Sequence, residues 1–229
     1  MRSPSSRSPS RDNHAAERLF DGVRDFRKNV FPEQREHFAK LAGGQHPGTL
    51  FITCADSRVV PEMLTQTDPG ELFVCRNIGN IVPPYGEMLG GVSAVIEYAV
   101  VALKVRNIVI CGHSDCGAMK GLMNVNDPTL ARMPTVRSWL RNAEAARTVV
   151  EATQGEIAGE AKVQALVEQN VVTQLQNLET HPSVAAALAT DAVTLHGWVY
   201  GIKEGDVRTY DAAERAFVPL DAAMPAEVA

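Results

Sequence analysis

Short apolar runs, rich in β-branched residues and bounded by polar or glycine-containing turns, recur along the chain and indicate buried strands. They cover 49–53, 71–75, 107–111 and 193–200. One more run, at 207–210, follows the turn Lys203-Glu-Gly-Asp206, which is typical of a hairpin. We therefore predict a sheet whose C-terminal part is extended by at least one hairpin strand.

Between these runs the apolar residues recur at steps of three and four, which indicates helices with one buried face. One such stretch contains Val92, Ile96 and Leu103, and two long helices are predicted over 134–154 and 160–179. Two further helices precede the first strand: one begins at Asn13 and runs through about residue 29, and the other begins at Pro32. The alternation of strands and helices predicts an α/β fold, with a central, mostly parallel β-sheet flanked by helices, N-terminal helices and a C-terminal strand extension.

The composition is compatible with one domain, because 229 residues with 45% apolar residues can form a single core. The first eleven residues contain five serines, three arginines and two prolines, which is too little apolar material to pack. We predict a disordered tail over 1–13, a single domain over 14–220 and a C-terminal tail over 221–229.

Charge and hydropathy exclude two classes of partner. The net charge is −5 and no basic stripe is interleaved with aromatic residues, so we expect no nucleic-acid partner. No uninterrupted apolar run approaches the roughly 18 residues that a membrane span requires, so we expect no membrane association. Four cysteines without a secretory signal indicate a reducing compartment, and we predict a cytoplasmic protein.

Two polar runs follow the first and third predicted strands: Cys54-Ala-Asp-Ser-Arg58 and His113-Ser-Asp-Cys-Gly117. Because the carboxyl ends of parallel strands meet at one edge of a sheet, we expect Cys54, His113 and Cys116 to converge on one ion. Two thiolates and one imidazole with an open fourth position are typical of catalytic zinc. The other two cysteines, Cys75 and Cys111, lie inside apolar runs and are predicted to be buried thiols without a chemical role.

Two carboxylates stand beside these donors. The spacing of Asp56 and Arg58 predicts an ion pair in which the guanidinium holds the carboxylate off the metal. Asp115 precedes a predicted helix, and we expect it to cap that helix.

These runs occur in order with Arg76-Asn-Ile-Gly-Asn80, Val82-Pro-Pro-Tyr-Gly86 and His196-Gly-Trp198. Together they resemble the β-class carbonic anhydrases, in particular the subgroup with Pro-Pro-Tyr after the second strand. The likeness extends over about residues 17–220. It implies reversible hydration of carbon dioxide to bicarbonate and a proton by metal-bound hydroxide.

The resemblance also implies roles for particular residues. One Zn²⁺ per subunit is held by Cys54, His113 and Cys116, with Asp56 as a fourth ligand in a closed form and otherwise, paired with Arg58, as a catalytic residue. The substrate-binding positions that the resemblance implies are Gln45, Phe73, Tyr98 and Gly117. In such proteins the glutamine and the aromatic residues face the metal across a subunit boundary, so we expect a homodimer or a higher homo-oligomer, a tetramer or octamer.

Three other functions stay open on the sequence. A thiol redox protein could use Cys54 and Cys116, although the chain has no Cys-x-x-Cys motif. A noncatalytic zinc protein could bind bicarbonate as a sensor. A hydrolase of a related cumulated substrate, such as carbon disulfide, could use the same metal site.

Overall fold

The structure, a computed structural model, describes residues 11–86 and 90–223. The chain separates into two compact units, Met1–Gln45 and His46–Ala229, which are described one at a time. Most of the predicted N-terminal tail lies outside the described residues, but the first helix begins at Arg11, two residues before the predicted start. Residues 224–229 also lie outside them. The expectation of one domain over 14–220 stays a prediction.

The first unit is helical, as predicted. Helix α1 (Arg11–Asp25) continues as a wider π-helical turn at Phe26–Val30, and α2 (Arg35–Leu41) begins three residues after Pro32. The rings of Phe26, Phe31 and Phe38 contact one another, with centroids 5.4 to 6.1 Å apart. Within this unit α1 leaves apolar side chains exposed, including Leu19, Phe20 and Val23.

The second unit is built on a six-stranded sheet of order β2-β1-β3-β4-β5-β6. The first four strands in this order pair in parallel, and β5 and β6 are added antiparallel at the β4 edge. This confirms the mostly parallel sheet with a C-terminal extension, to which β6 adds a strand that was not predicted. The strands are β1 (Thr49–Cys54), β2 (Leu72–Asn77), β3 (Asn107–His113), β4 (Thr194–Tyr200), β5 (Val207–Asp211) and β6 (Ala216–Pro219).

Helices flank this sheet. They are α3 (Pro61–Thr65), α4 (Gly91–Glu97), α5 (Gly117–Met123), α6 (Pro128–Ala131), α7 (Pro134–Leu140), α8 (Glu144–Thr153), α9 (Gly159–Glu179), α10 (Pro182–Leu188) and α11 (Leu220–Ala223). The single helix predicted over 134–154 is wrong: a 3₁₀ turn at Arg141–Ala143 separates α7 from α8. At this turn Asn142 donates its side-chain amide to the carbonyl oxygen of Trp139 at 2.8 Å, so a side chain occupies an acceptor at the break.

Helix α9 packs on the centre of the sheet at two glycines. A Cβ added to Gly112 of β3 would lie 2.9 Å from Val171 Cγ2, and one added to Gly197 of β4 would lie 2.8 Å from Leu175 Cδ1. Both distances are shorter than real side-chain contacts, so the helix approaches the sheet only because these positions carry no side chain. On the other face, Phe51, Val109 and Cys111 form a smaller buried cluster. None of the described helices combines the length and the apolar character needed to cross a bilayer.

Candidate metal centre

Two neighbouring parallel strands bring the donor residues together. Strand β1 ends at Cys54 and β3 ends at His113, and the two strands pair with Thr53 opposite Cys111. Cys116 lies at the residue that precedes α5. The ligand atoms of Cys54, His113 and Cys116 lie within 4.8 Å of one another, which is the convergence expected from the sequence.

The donor set fits a zinc ion. All three residues are buried, and His113 is fully inaccessible. Its Nδ1 lies 2.9 Å from the carbonyl oxygen of Ser114; because a carbonyl only accepts, Nδ1 donates this hydrogen bond, and Nε2 is the ring nitrogen left to bind a metal. This buried Nε2 has no hydrogen-bond partner among the described residues. A buried ring nitrogen without a hydrogen-bond partner, next to two sulfurs, fits a Cys₂His zinc site.

The two thiols are electrostatically coupled. A hydrogen bond from Cys116 lowers the pKa of Cys54, and the backbone N–H of Gly79, 3.4 Å from Cys54 Sγ, lowers it further. Cys54 and burial together raise the pKa of Cys116. The metal-free pair therefore favours one thiolate and one thiol, and a metal would displace the remaining proton.

The other two cysteines, Cys75 and Cys111, are buried, as predicted. All four are free thiols. Burial raises the pKa of Cys75, and it raises the pKa of Cys111 to about 12. Since the thiolate is the reactive form, neither residue is suited to nucleophilic or redox chemistry.

The expected ion pair stands at the edge of the donor set. Arg58 donates from Nε to Asp56 Oδ1 at 3.0 Å and from Nη2 to Asp56 Oδ2 at 2.8 Å, while its backbone N–H reaches Oδ1 at 2.9 Å. These hydrogen bonds hold the pKa of Asp56 well below its usual range, and they raise the pKa of Arg58. Asp56 Oδ2 lies 3.9 Å from His113 Nε2, so an ionised oxygen faces the metal position.

The expectation that Asp115 caps the next helix is wrong. The residue before α5 is Cys116, which makes no side-chain capping bond. Asp115 has a left-handed backbone, with φ of 58°, and its carboxylate accepts hydrogen bonds from Arg58 Nη1, at 3.1 Å, and from Lys120 Nζ. Asp115 thus supports the guanidinium that holds Asp56. A helix-start motif in sequence does not distinguish a cap from this turn.

A cavity of about 660 Å³ opens beside the donors and is mainly apolar. Cys54, Asp56 and Gly117 lie at its metal end. Its apolar wall was not predictable from the sequence, because separate parts of the chain contribute to it: Ile78, Leu130, Met133, Val136 and Leu140.

Two of the remaining predicted substrate residues, Phe73 and Tyr98, form a pair of their own. Phe73 and Tyr98 contact each other, with ring centroids 5.9 Å apart, and neither belongs to the described residues that line this cavity. Tyr98 is 49% exposed. Gln45 is the last residue of the first compact unit. The substrate roles of these three residues stay predictions.

Comparison with known proteins agrees with this geometry. A family model described as carbonic anhydrase matches residues 49–207. The carbonic anhydrase of Pseudomonas aeruginosa is 50% identical over 202 residues, which cover 88% of this chain and 90% of that protein. The solved structure of the β-carbonic anhydrase CcaA has a TM-score of 0.87 at 45% identity and covers 90% of this chain and 99% of that one.

A more distant match is a structure from a study of two tetrameric β-carbonic anhydrases from Sordaria macrospora. It has a TM-score of 0.68 at 30% identity, covering 86% of this chain and 94% of that one. The residues that the family model matches include the whole Cys54, His113 and Cys116 set, together with Asp56 and Arg58. The chain therefore belongs to the β-carbonic anhydrase family.

Proposed function

We propose that this protein catalyses the zinc-dependent, reversible hydration of carbon dioxide to bicarbonate and a proton. The observation that carries the proposal is the buried donor set of Cys54, His113 and Cys116, with its unpartnered ring nitrogen, in a chain of this family. When bound, zinc supplies the Lewis acidity that makes a water molecule nucleophilic near neutral pH.

Asp56 orients the attacking water in this proposal. Arg58 holds both carboxylate oxygens, so Oδ2 is kept at the edge of the donor set and away from the centre of it. An ionised carboxylate can only accept hydrogen bonds, so Asp56 Oδ2 accepts the O–H of the water. This hydrogen bond turns a lone pair of the water oxygen away from Asp56 and towards the cavity. Asp115 supports this arrangement by binding the other side of Arg58.

The cavity suits carbon dioxide, which is small, neutral and apolar. Ile78, Met133 and Leu140 supply an apolar wall that binds no water strongly. A Cβ built on Gly117 would meet nothing within 4 Å, so packing does not require glycine there. The absence of a side chain instead keeps the metal end of the cavity open to substrate, which supports the proposed role of Gly117.

We also propose that the working form is a homodimer or a higher homo-oligomer, in which Gln45, Phe73 and Tyr98 complete a neighbouring subunit's cleft. The exposure of Tyr98 and the exposed apolar side chains of α1 support an oligomer, since such groups gain stability when a partner covers them. A cytoplasmic location is proposed because four free thiols fit a reducing compartment.

Two cysteine variants test the proposed function. Cys54→Ala removes a donor, whereas Cys75→Ala removes an equally buried thiol that lies outside the donor set. We expect Cys54→Ala to lose bound zinc and carbon dioxide hydration together, while Cys75→Ala keeps both. Zinc content is measured by elemental analysis and hydration by stopped-flow. Full hydration activity in Cys54→Ala would overturn the proposal.

The same two assays, together with bicarbonate binding and sulfide release, separate the other functions. A bicarbonate sensor would hold zinc and bind bicarbonate without turnover, and a redox protein would not retain stoichiometric zinc in a reducing buffer. A carbon disulfide hydrolase would release sulfide from carbon disulfide at a rate above its carbon dioxide hydration rate.

A further inference from the structure

The loop after β2 is held by side chains from one face of α9. Asn170 Nδ2 donates to the carbonyl oxygen of Gly79 at 3.0 Å, the N–H of Val82 donates to Gln174 Oε1 at 2.9 Å, and Asn177 Nδ2 donates to the carbonyl oxygen of Val82 at 2.8 Å. Asn170, Gln174 and Asn177 follow one another at steps of four and three, so they lie on one helix face. We call these three residues the amide face.

Burying the amide face costs free energy unless hydrogen bonds within the protein replace those to water. Asn170 is 1% exposed and Gln174 is fully buried. They are linked by a hydrogen bond from Gln174 Nε2 to Asn170 Oδ1 at 2.8 Å, and Asn177 Nδ2 also reaches Gln174 Oε1 at 3.2 Å. Buried amides lose hydration that apolar side chains at the same positions would not lose. The loop that they bind therefore accounts for their presence.

Within that loop Gly79 contacts the metal centre directly. Its N–H donates to Cys54 Sγ at 3.4 Å, and its carbonyl oxygen is the group that Asn170 binds. Gly79 has a left-handed φ of 82°, and an added Cβ would lie 2.9 Å from Cβ of Ala118 in α5. The peptide groups on either side of Gly79 thus join α9 to a metal-ligating sulfur.

We propose that Asn170 is a positioning residue for the metal centre, acting through Gly79 to hold a backbone N–H on Cys54 Sγ. An N–H donated to a thiolate fixes the direction of the sulfur lone pairs and withdraws electron density from them. Both effects act on a bound metal, so the amide face sets metal affinity as well as loop geometry. The inference rests on the proposed function only in requiring that the site bind a metal.

The test compares Asn170→Ala with Asn177→Ala, a matched control on the same helix that removes an amide bound to Val82 instead of Gly79. Zinc affinity is measured by competition with a chromophoric chelator. We expect Asn170→Ala to bind Zn²⁺ about 10-fold more weakly or worse, as is typical when a group that orients a metal ligand is removed. Asn177→Ala is expected to keep an affinity near the wild-type value even if it lowers stability.

A second readout uses Co²⁺ in place of Zn²⁺. Loss of the N–H bond raises the energy of the Cys54 sulfur lone pairs, so the thiolate-to-cobalt absorption band of Asn170→Ala shifts to longer wavelength, while that of Asn177→Ala does not. If Asn170→Ala does not fold, Asn170→Ser keeps a polar atom for Gln174 without the amide that reaches Gly79, and it should give the same shift.

The proposal is overturned if the Asn170 and Asn177 variants change zinc affinity equally, or if neither changes the affinity or the cobalt band. Either result makes the amide face purely structural. Wild-type protein that binds zinc without hydrating carbon dioxide would instead refute the proposed function and leave this inference standing.

Discussion

The environment of Asp56 shows what spacing along the chain does and does not determine. Asp56 and Arg58 are two positions apart in the chain, and the expected pair forms with both carboxylate oxygens engaged. The donors Cys54, His113 and Cys116 were equally predictable, because each follows a recognisable strand. The contact between Asp115 and Arg58 was not predictable. These two residues lie 57 positions apart in the chain, and Asp115 reaches Arg58 from a left-handed turn after β3.

Removing the carboxylate of Asp56 tests its orienting role. We expect Asp56→Ala to retain zinc, because the three buried donors are intact, and to lose carbon dioxide hydration by on the order of 10²-fold, as when a reactant is no longer held in its productive orientation. Zinc content and stopped-flow hydration are measured on the same sample. Loss of zinc from this variant would show that Asp56 is a structural ligand.

His196 gives a prediction for stability against pH. Burial lowers the pKa of His196 below its ordinary value of 6.5, and its Nε2 donates to Asn107 Oδ1 at 3.0 Å. As pH falls below about 6.5 the unfolded chain binds a proton at His196 before the native protein does, so the free energy of unfolding decreases. Above that pH the effect vanishes, because the residue is neutral in both states.

The measurement is urea unfolding of the wild type and of His196→Gln between pH 8 and pH 5. We expect the wild type to lose more stability than the variant over this interval, with the difference developing below about pH 6.5. Equal losses in the two proteins would contradict the assignment of this part of the pH dependence to His196.

Strands and helices were predictable from the sequence where their patterns of apolar residues were long enough to recognise. The runs at 49–53, 107–111 and 193–200 became β1, β3 and β4 because continuous apolar, β-branched sequence is compatible with a buried parallel strand. Helices α3 and α6 have five and four residues, which is too short to establish a period. The amide face of α9 was not predictable either, because its partners lie more than 90 residues away in the chain.

Because α9 packs closely on β3, a methyl group added at Gly112 is predicted to lower the stability of the protein. Gly112→Ala would place a Cβ 2.9 Å from Val171 Cγ2 and 3.2 Å from Val167 Cγ1, both on α9. We expect it to lower the free energy of unfolding by about 1–3 kcal/mol, as overpacking of a core does.

Gly48→Ala is the matched control, since a Cβ there meets nothing within 4 Å. Its effect should stay within about 0.5 kcal/mol, as for an ordinary surface change. Both values come from urea unfolding. A Gly112→Ala protein as stable as Gly48→Ala would show that α9 can shift away from β3 without cost.

The organisation of the chain into compact units was harder to predict than its strands and helices. The sequence indicated N-terminal helices, but not that Met1–Gln45 forms a compact unit of its own. Exposure could not be predicted either: Leu19 is 72% and Phe20 is 63% exposed, although both are large and apolar. Apolar periodicity identifies the face of a helix that avoids water, and it does not identify the chain that covers this face.

A charged residue on the exposed apolar face of α1 tests whether a second subunit covers that face. We expect sedimentation of the wild type at micromolar concentration to give the mass of a dimer or a larger oligomer, and Phe20→Asp to reduce that mass because it buries an unpaired charge. Arg18→Glu, a charge change at a polar position of the same helix, should leave the mass unchanged. A monomeric wild type, or equal effects of the two variants, would contradict the oligomer proposed above.

The measurement that bears most on the function is the carbon dioxide hydration rate of protein stripped of metal and then titrated with Zn²⁺. Three donors at one point, Cys54, His113 and Cys116, predict that the rate rises linearly and stops rising at one zinc per chain. A hydration rate that persists in the stripped protein, or full zinc loading without hydration, would contradict the account.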